Sequence, residues 1–258
     1  MATPATIKLT TSTTAPSDIP KRYAFDALRF AREVLHWNPD PKQATVLSTQ
    51  SRRVILNCAR QWGKSSVAAA RIVWVAVTRP GRVILVISEN IDQCAELFLK
   101  IDRFLLRAGV TVRKDPGKKL ARILVGNGSR IVGLAAREAA VRGYTADFVF
   151  IDEAARIDDE VIDAFAPVIA IHKGDWWMAS TPKGRRGRFW EMWEYGDPQT
   201  VLKISAPWTE NPRLDPKVVA EARRDWGNTY VAQEYECQFI ENGIYVFGGD
   251  EVRKVVIK

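Results

Sequence analysis

Residues 57–66 read NCARQWGKSS and close the short apolar run RRVILNC. The usual phosphate-binding loop is G-x-x-x-x-G-K-[ST], and here Cys58 stands where the first glycine would be. Such a loop needs a strand, a tight turn whose backbone N–H groups face the phosphates, and a helix whose N-terminus adds its dipole. RRVILNC is continuous and rich in β-branched residues, as a strand buried on both faces is. SVAAARIVWVAV, residues 66–77, reads as an alanine-rich helix ended by TRPG. In this frame Gly63 permits close approach of the backbone, Lys64 reaches the β and γ phosphates, and Ser65 is placed to hold Mg²⁺. Cys58, Ala59, Arg60, Gln61, Trp62 and Ser66 complete the candidate nucleotide loop. Read alone, the triplet is equally a chance Gly-Lys-Ser at a helix start.

A second stretch bears on that choice. FVFIDEA, residues 148–154, carries four apolar residues up to Asp152 and Glu153. In an open parallel sheet, ligands bind beyond the C-terminal ends of the strands. Asp152 would join Ser65 around Mg²⁺, and Glu153 would act as general base on the attacking water. The bland alternative is a pair of solvated acids capping the next helix. The order of the two motifs, loop after one buried strand and acids at the end of another, is the order a nucleotide hydrolase requires.

The rest of the chain supplies a matching frame. RYAFDALRFAREVLH, residues 22–36, has helical apolar spacing, and WNPDPKQATVL leads through a turn into a second helix. RVILVIS predicts a buried strand and NIDQCAELFLKIDRFLLRAG a long amphipathic helix stopped at Gly109. ARILVGNGSRIVGLAA predicts two strands around an Asn-Gly turn. DDEVIDAFAPVIA predicts one short helix capped by Asp158 or Asp159, DWWMASTPKG a strand, and TVLKISA a further strand. From Pro207 the pattern turns to polar helices, DPKVVAEARRDWG and TYVAQEYECQF. Alternating strands and helices predict an α/β fold with a mostly parallel central sheet flanked by helices.

Composition narrows the function classes. The 258 residues suit one large domain with a small appendage, and 47% are hydrophobic, enough for a sizeable core. No apolar run reaches the roughly 18 residues of a membrane-spanning helix, and the Thr- and Pro-rich N-terminus lacks the apolar centre of a secretory signal. Three cysteines without metal spacing fit a reducing cytosol, and two distant histidines supply little for histidine-based metal or triad chemistry. A net charge of +8 favours an anionic partner such as nucleic acid, or a basic solubilising surface.

Five stretches in order carry a resemblance to a known family: WNPDPKQATVL, CARQWGKS, VRGYTADFVFIDEAA, MASTPKGRRGRFWEMW and AQEYECQF. Together they resemble the ATPase domain of the large terminase subunit, the motor that packages DNA into tailed-bacteriophage and herpesvirus capsids. That family's loop is commonly degenerate at its first glycine and carries Arg-Gln within it. The resemblance spans roughly residues 30 to 245 and implies a P-loop NTPase fold of the ASCE type with a small helical lid. It implies ATP and Mg²⁺ as cofactors, and double-stranded DNA, a homo-oligomeric ring, a portal protein and a small terminase subunit as partners. The implied location is the bacterial host cytoplasm, transiently at the procapsid.

The resemblance also implies roles for single residues. Gln43 offers a donor and an acceptor to the adenine edge, with Trp37 or Pro39 against the ring. Arg60 senses the γ-phosphate, and Arg142 is a finger arginine of the kind that stabilises transition-state charge by roughly 10³–10⁵ in rate. Ser180 and Thr181 report the γ-phosphate to the segment that follows. Lys183, Arg185, Arg186 and Arg188 form a basic loop that contacts DNA phosphates or is simply solvated. Trp176 and Trp177 read as core. The expected division is a flexible arm (1–22), the ATPase core (23–206), the helical lid (207–246) and a linker (247–258) toward a nuclease domain absent from this chain, excised or truncated. A helicase-like ATPase shares the glutamine, loop and acidic parts but needs a second lobe. A non-enzymatic nucleic-acid-binding protein has no use for intact Lys64, Ser65, Asp152 and Glu153.

Overall fold

A computed structural model of the chain describes residues 19, 21–114, 122–136 and 143–241. Eight strands form one sheet: β1 (Arg53–Cys58), β2 (Val83–Ser88), β3 (Val112–Lys114), β4 (Arg122–Val125), β5 (Arg130–Ala135), β6 (Phe148–Asp152), β7 (Asp175–Ser180) and β8 (Val201–Ala206). Their order across the sheet is β3-β4-β5-β2-β6-β7-β1-β8. From β5 to β8 every neighbour is parallel, and β3 and β4 join as an antiparallel edge. The predicted Asn-Gly hairpin is the β4–β5 pair.

Side-chain alternation divides the core into two layers. Val54, Leu56, Ile84, Val86, Phe148 and Phe150 face one layer, while Ile55, Leu85, Ile87, Val149 and Ile151 face the other. The first layer is covered by α1 (Ala27–Glu33), α2 (Pro41–Ser48), α3 (Lys64–Thr78) and α4 (Ile91–Arg107). α3 is buried at every position from Val67 to Val77, which explains why all of these but Arg71 are apolar. The second layer is covered by α5 (Asp159–Asp163), α6 (Phe165–Ala170) and α7 (Gly187–Tyr195). α8 (Pro216–Glu234) and the turn before it enclose a small separate cluster of Leu214, Val219, Ala222 and Val231.

Three predicted elements differ in detail. The helix read over 22–36 is a single helical turn at Lys21–Tyr23 followed by α1. The Asp26 side chain accepts from Arg29 N and starts the helix there, so Phe25 falls outside it and is exposed. The helix read over 158–170 is two, α5 and α6, because Pro167 cannot donate to the carbonyl of Asp163 and its ring crowds that carbonyl. The two polar C-terminal helices are the two arms of α8, broken at Gly227, where φ is 83°. Residues 1–18 and 20 of the expected arm, residues 242–246 of the expected lid and all of the expected linker lie outside the described residues.

Candidate active site

The missing glycine has a local explanation. Cys58 is still part of β1, paired with Ala206 and fully buried, and Ala59 N donates to Ala206 O at 3.0 Å. The turn comes later, at Gln61 (φ 61°) and Gly63 (φ 102°). The position that is glycine in the usual pattern is therefore strand here. Gly63 is required twice over: its φ is left-handed, and a Cβ would meet Gln43 Nε2 at 2.8 Å. Gly63 also caps α3 without a side chain, which leaves first-turn N–H groups open toward an anion. Lys64 Nζ donates to the carbonyls of Cys58 (3.0 Å) and Ala59 (3.4 Å) and lies 4.0 Å from Glu153 Oε1.

β7 lies between β1 and β6, so the loop, the acids and the Ser-Thr pair leave three adjacent strands on one side of the sheet. Burial pushes the Asp152 carboxyl up to about 6, helped by the charge of Glu153 and opposed by Lys64 and Lys100. Glu153 follows in a left-handed conformation (φ 50°), a strained backbone for a non-glycine residue. Its Oε2 accepts from Arg156 Nη1 (2.9 Å) and Ser180 Oγ (3.1 Å). Arg156 also donates to Thr181 Oγ1 (3.1 Å) and to Glu234 Oε1 (2.8 Å). Glu234 Oε2 accepts from Arg60 Nε at 2.8 Å. Burial alone would raise Glu234, but the Arg60 hydrogen bond and the charges of Arg156 and Arg60 hold its carboxyl below the usual range.

A cavity of about 720 Å³ collects these groups. Of the predicted residues, Trp37, Gln43, Arg60, Gln61, Gly63, Lys64, Ser65, Ser66, Asp152 and Glu153 line it. Cys58, Ala59 and Trp62 are buried beneath it, and Pro39 is buried as well. Gln43 already has internal partners: Oε1 accepts from Asp40 N (3.0 Å) and Nε2 donates to Trp62 O (2.8 Å). It braces the loop from below as part of the capping box of α2. Ser180 and Thr181 are buried and reach the cavity through Glu153 and Arg156.

The basic loop is divided. Arg188 is held by Asp163 (2.6 Å) and Glu191 (2.6 Å), and Arg185 by Glu241 (3.3 Å). Lys183 and Arg186 are exposed, without an ion-pair partner among the described residues. Trp177 is fully buried, Trp176 partly. Arg142 lies outside the described residues.

Sequence reasoning missed five residues that line the cavity: Gln93, Lys100, Arg156, Arg213 and Glu234. Gln93 and Lys100 stand seven apart, on one face of a helix, which is a legible signal. Arg156, three residues after Glu153, is another. Glu234 is marked only by its place in AQEYECQF, and Arg213 by nothing; both arrive from the far C-terminal unit, where Arg213 Nη2 donates to Trp62 O at 2.8 Å.

The sequence profile of the family described as "Terminase large subunit, T4likevirus-type, N-terminal" matches residues 55–254. The terminase large subunit of Escherichia phage T5 is 30% identical over 209 residues, covering 78% of this chain and 45% of its own length. The large terminase ATPase domain of Thermus phage P74-26 superposes with a TM-score of 0.69 at 24% identity, covering 81% of this chain and 97% of that one. A large terminase from a thermophilic bacteriophage, solved in complex with ATP-γ-S, gives a TM-score of 0.63 at 15% identity, covering 85% and 52%. The chain spans about half the length of the curated relatives it matches, 45% to 52%.

Proposed function

Because this chain belongs to the terminase large subunit family, we propose that it is the ATP-hydrolysing motor part of a DNA-packaging machine, using Mg²⁺·ATP to drive double-stranded viral DNA into a procapsid. One observation carries the reading: Gly63, Lys64, Ser65, Asp152 and Glu153 line a single cavity at the C-terminal ends of parallel strands. The thermophilic phage terminase with its bound ATP analogue supports the choice of nucleotide.

The residues fit Mg²⁺·ATP. Among the described residues no group of three or more His, Cys, Asp or Glu is placed to hold a metal. Mg²⁺ does not need one, since it takes oxygen ligands and is commonly held by one or two protein groups plus phosphates. Ser65 and Asp152 are two such oxygen donors, and both line the cavity. When bound, Mg²⁺ would neutralise charge on the phosphate oxygens.

Each side chain then has a defined task. Lys64 exchanges the carbonyls of Cys58 and Ala59 for phosphate oxygens. Glu153, with Oε2 held by Arg156 and Ser180, keeps Oε1 for the proton of the attacking water. Thr181, through Arg156, shares that hold and offers a path from the phosphate to the basic loop. Arg60 reads the γ-phosphate, Trp37 and the remaining amide hydrogen of Gln43 face the base, and Arg142 is the finger of a ring-forming motor. Residues 207–246 act as the lid, and Lys183 and Arg186 as phosphate contacts. Portal protein and small subunit are the partners, in the host cytoplasm. No helix among the described residues is long and apolar enough to cross a membrane.

Glu153→Gln tests the reading. Hydrolysis falls by about 10²–10⁴-fold, the usual worth of a general base, while affinity for a fluorescent ATP analogue changes little. A variant that hydrolyses ATP at the parental rate would remove Glu153 from the mechanism.

A further inference from the structure

Lys64 accounts for one ammonium group in the cavity; a second has no role in the mechanism above. Lys100 stands on α4, which starts at Asn90, whose side chain accepts from Gln93 N at 3.0 Å. Cys94, Leu97, Phe98 and Ile101 bind this helix to the sheet. Gln93 and Lys100 line the cavity. Lys100 Nζ donates to Ser65 Oγ, and its charge acts on Asp152. These are the two oxygen groups assigned above to Mg²⁺.

Lys64 Nζ makes its hydrogen bonds to the carbonyls of Cys58 and Ala59, so its charge reaches Asp152 without a hydrogen bond to Ser65. Arg156 is committed elsewhere, shared between Glu153, Thr181 and Glu234. Among the described residues, the Asp152 side chain has one hydrogen bond, from Glu153 N to Oδ1 at 3.1 Å, and it sits beside the carboxylate of Glu153. Lys100 is thus the cation hydrogen-bonded to one member of the metal-ligand pair, and its charge, with that of Lys64, acts on the other. An ammonium and a divalent ion compete for the same lone pairs and repel each other strongly at such range. The lysine stem is flexible and its head strongly hydrated, so the group can swing outward when displaced.

We infer that Lys100 is a resident counter-cation that occupies Ser65 beside Asp152 in the nucleotide-free protein and is displaced when Mg²⁺ enters with the nucleotide. The inference rests on the Mg²⁺·ATP reading of the cavity. It makes Mg²⁺ affinity a property tuned by α4, and it makes α4 a helix whose cavity contact changes with nucleotide state. A lysine that instead joined Mg²⁺ on the phosphates would act in the opposite direction.

The test is a binding measurement. A fluorescent ATP analogue is titrated against wild type, Lys100→Met, Lys100→Gln and Lys100→Arg, once in EDTA and once at fixed nucleotide with increasing Mg²⁺. Removing the charge lowers the half-saturating Mg²⁺ concentration about three- to tenfold and weakens Mg²⁺-free nucleotide binding by a similar factor. Lys100→Arg keeps the wild-type half-point. An unchanged or raised half-point in Lys100→Met and Lys100→Gln would overturn the inference. An equal fall in Lys100→Arg would assign the effect to packing and overturn it too. Lys64→Ala separates this from the underlying reading: if it binds the analogue as wild type does, the phosphate site itself is wrong and Lys100 falls with it. Loss of binding in Lys64→Ala with an unmoved Lys100→Met half-point would sink the Lys100 inference alone.

Discussion

Glu234 joins the C-terminal unit to Arg60 and Arg156, and it is buried between them. Removing one partner of a buried charged set leaves the others uncompensated, so Glu234→Ala should cost about 2–4 kcal/mol of stability. Thermal melts check this. The same carboxyl has a folded-state pKa held below its ordinary value of 4.5. Its contribution is therefore fully present above that ordinary value and is lost as the pH falls through the folded one. The melting difference between wild type and Glu234→Gln should be largest at neutral pH and shrink as pH drops below about 4.5. A difference that grew on acidification would contradict the assignment of charge to this pair. At this scale, the loop lysine, the serine and the two acids were legible because each follows its own strand or opens its own helix. Glu234 was not, since nothing near it in sequence marks it as a partner of Arg60 and Arg156.

The elements were legible where periodicity is strong, and less so where a single residue overrides it. The alternation of Val54, Leu56 with Ile55 and of Phe148, Phe150 with Val149, Ile151 is a period-two pattern that any strand must express. The start of α1 depends on one side-chain cap at Asp26, and the break between α5 and α6 on one proline. The distance of α4 from the sheet likewise depends on one residue. A Cβ at Gly133 in β5 would lie 2.5 Å from Cys94 Sγ and 2.8 Å from Phe98 Cε2. Gly133→Ala should therefore push α4 outward and cost about 1–3 kcal/mol, as overpacking does. Calorimetry reads the loss as a fall in Tm of roughly 2–4 °C per kcal/mol for a chain of this size. An unchanged Tm would mean that α4 shifts freely on the sheet.

For the whole molecule, net charge suggested a polyanion and the structure divides the candidate contacts. If duplex DNA lies on the loop after Pro182, Lys183 and Arg186 carry the contact and Arg188 does not, because Asp163 and Glu191 already hold it. Each phosphate contact contributes about 0.9 to the slope of log affinity against log salt. Neutralising Lys183 and Arg186 together should shrink that slope by roughly 2, measured by anisotropy of a labelled duplex between low and moderate salt. Arg188→Ala should leave the slope unchanged and lower stability instead. A slope that falls equally for Arg188→Ala would place the DNA surface on α7 itself. The C-terminal unit is tied to the loop by Arg60 N to Glu234 O (3.0 Å), Asn211 to Gln61 O (3.2 Å) and Arg213 to Trp62 O (2.8 Å). Nucleotide binding should thus slow amide exchange in both the loop and residues 208–237, and protection confined to the loop would argue against a lid.

The sequence by itself determined the α/β class, the buried parallel strands, the Gly-Lys-Ser loop between β1 and α3 and the acids at the end of β6. These follow from residues a few positions apart, whose spacing is dictated by helix and strand geometry. Only the tertiary structure decided that Lys100 rests on Ser65, 35 positions away, that Arg156 is shared with Glu234, 78 away, and that Arg60 meets Glu234, 174 away. It also decided that Gln43 braces the loop and that Arg188 is already paired. The physical reason is that local periodicity is a property of the backbone, whereas an ion pair or hydrogen bond between distant residues exists only once packing has placed both groups and excluded the water that would otherwise serve them.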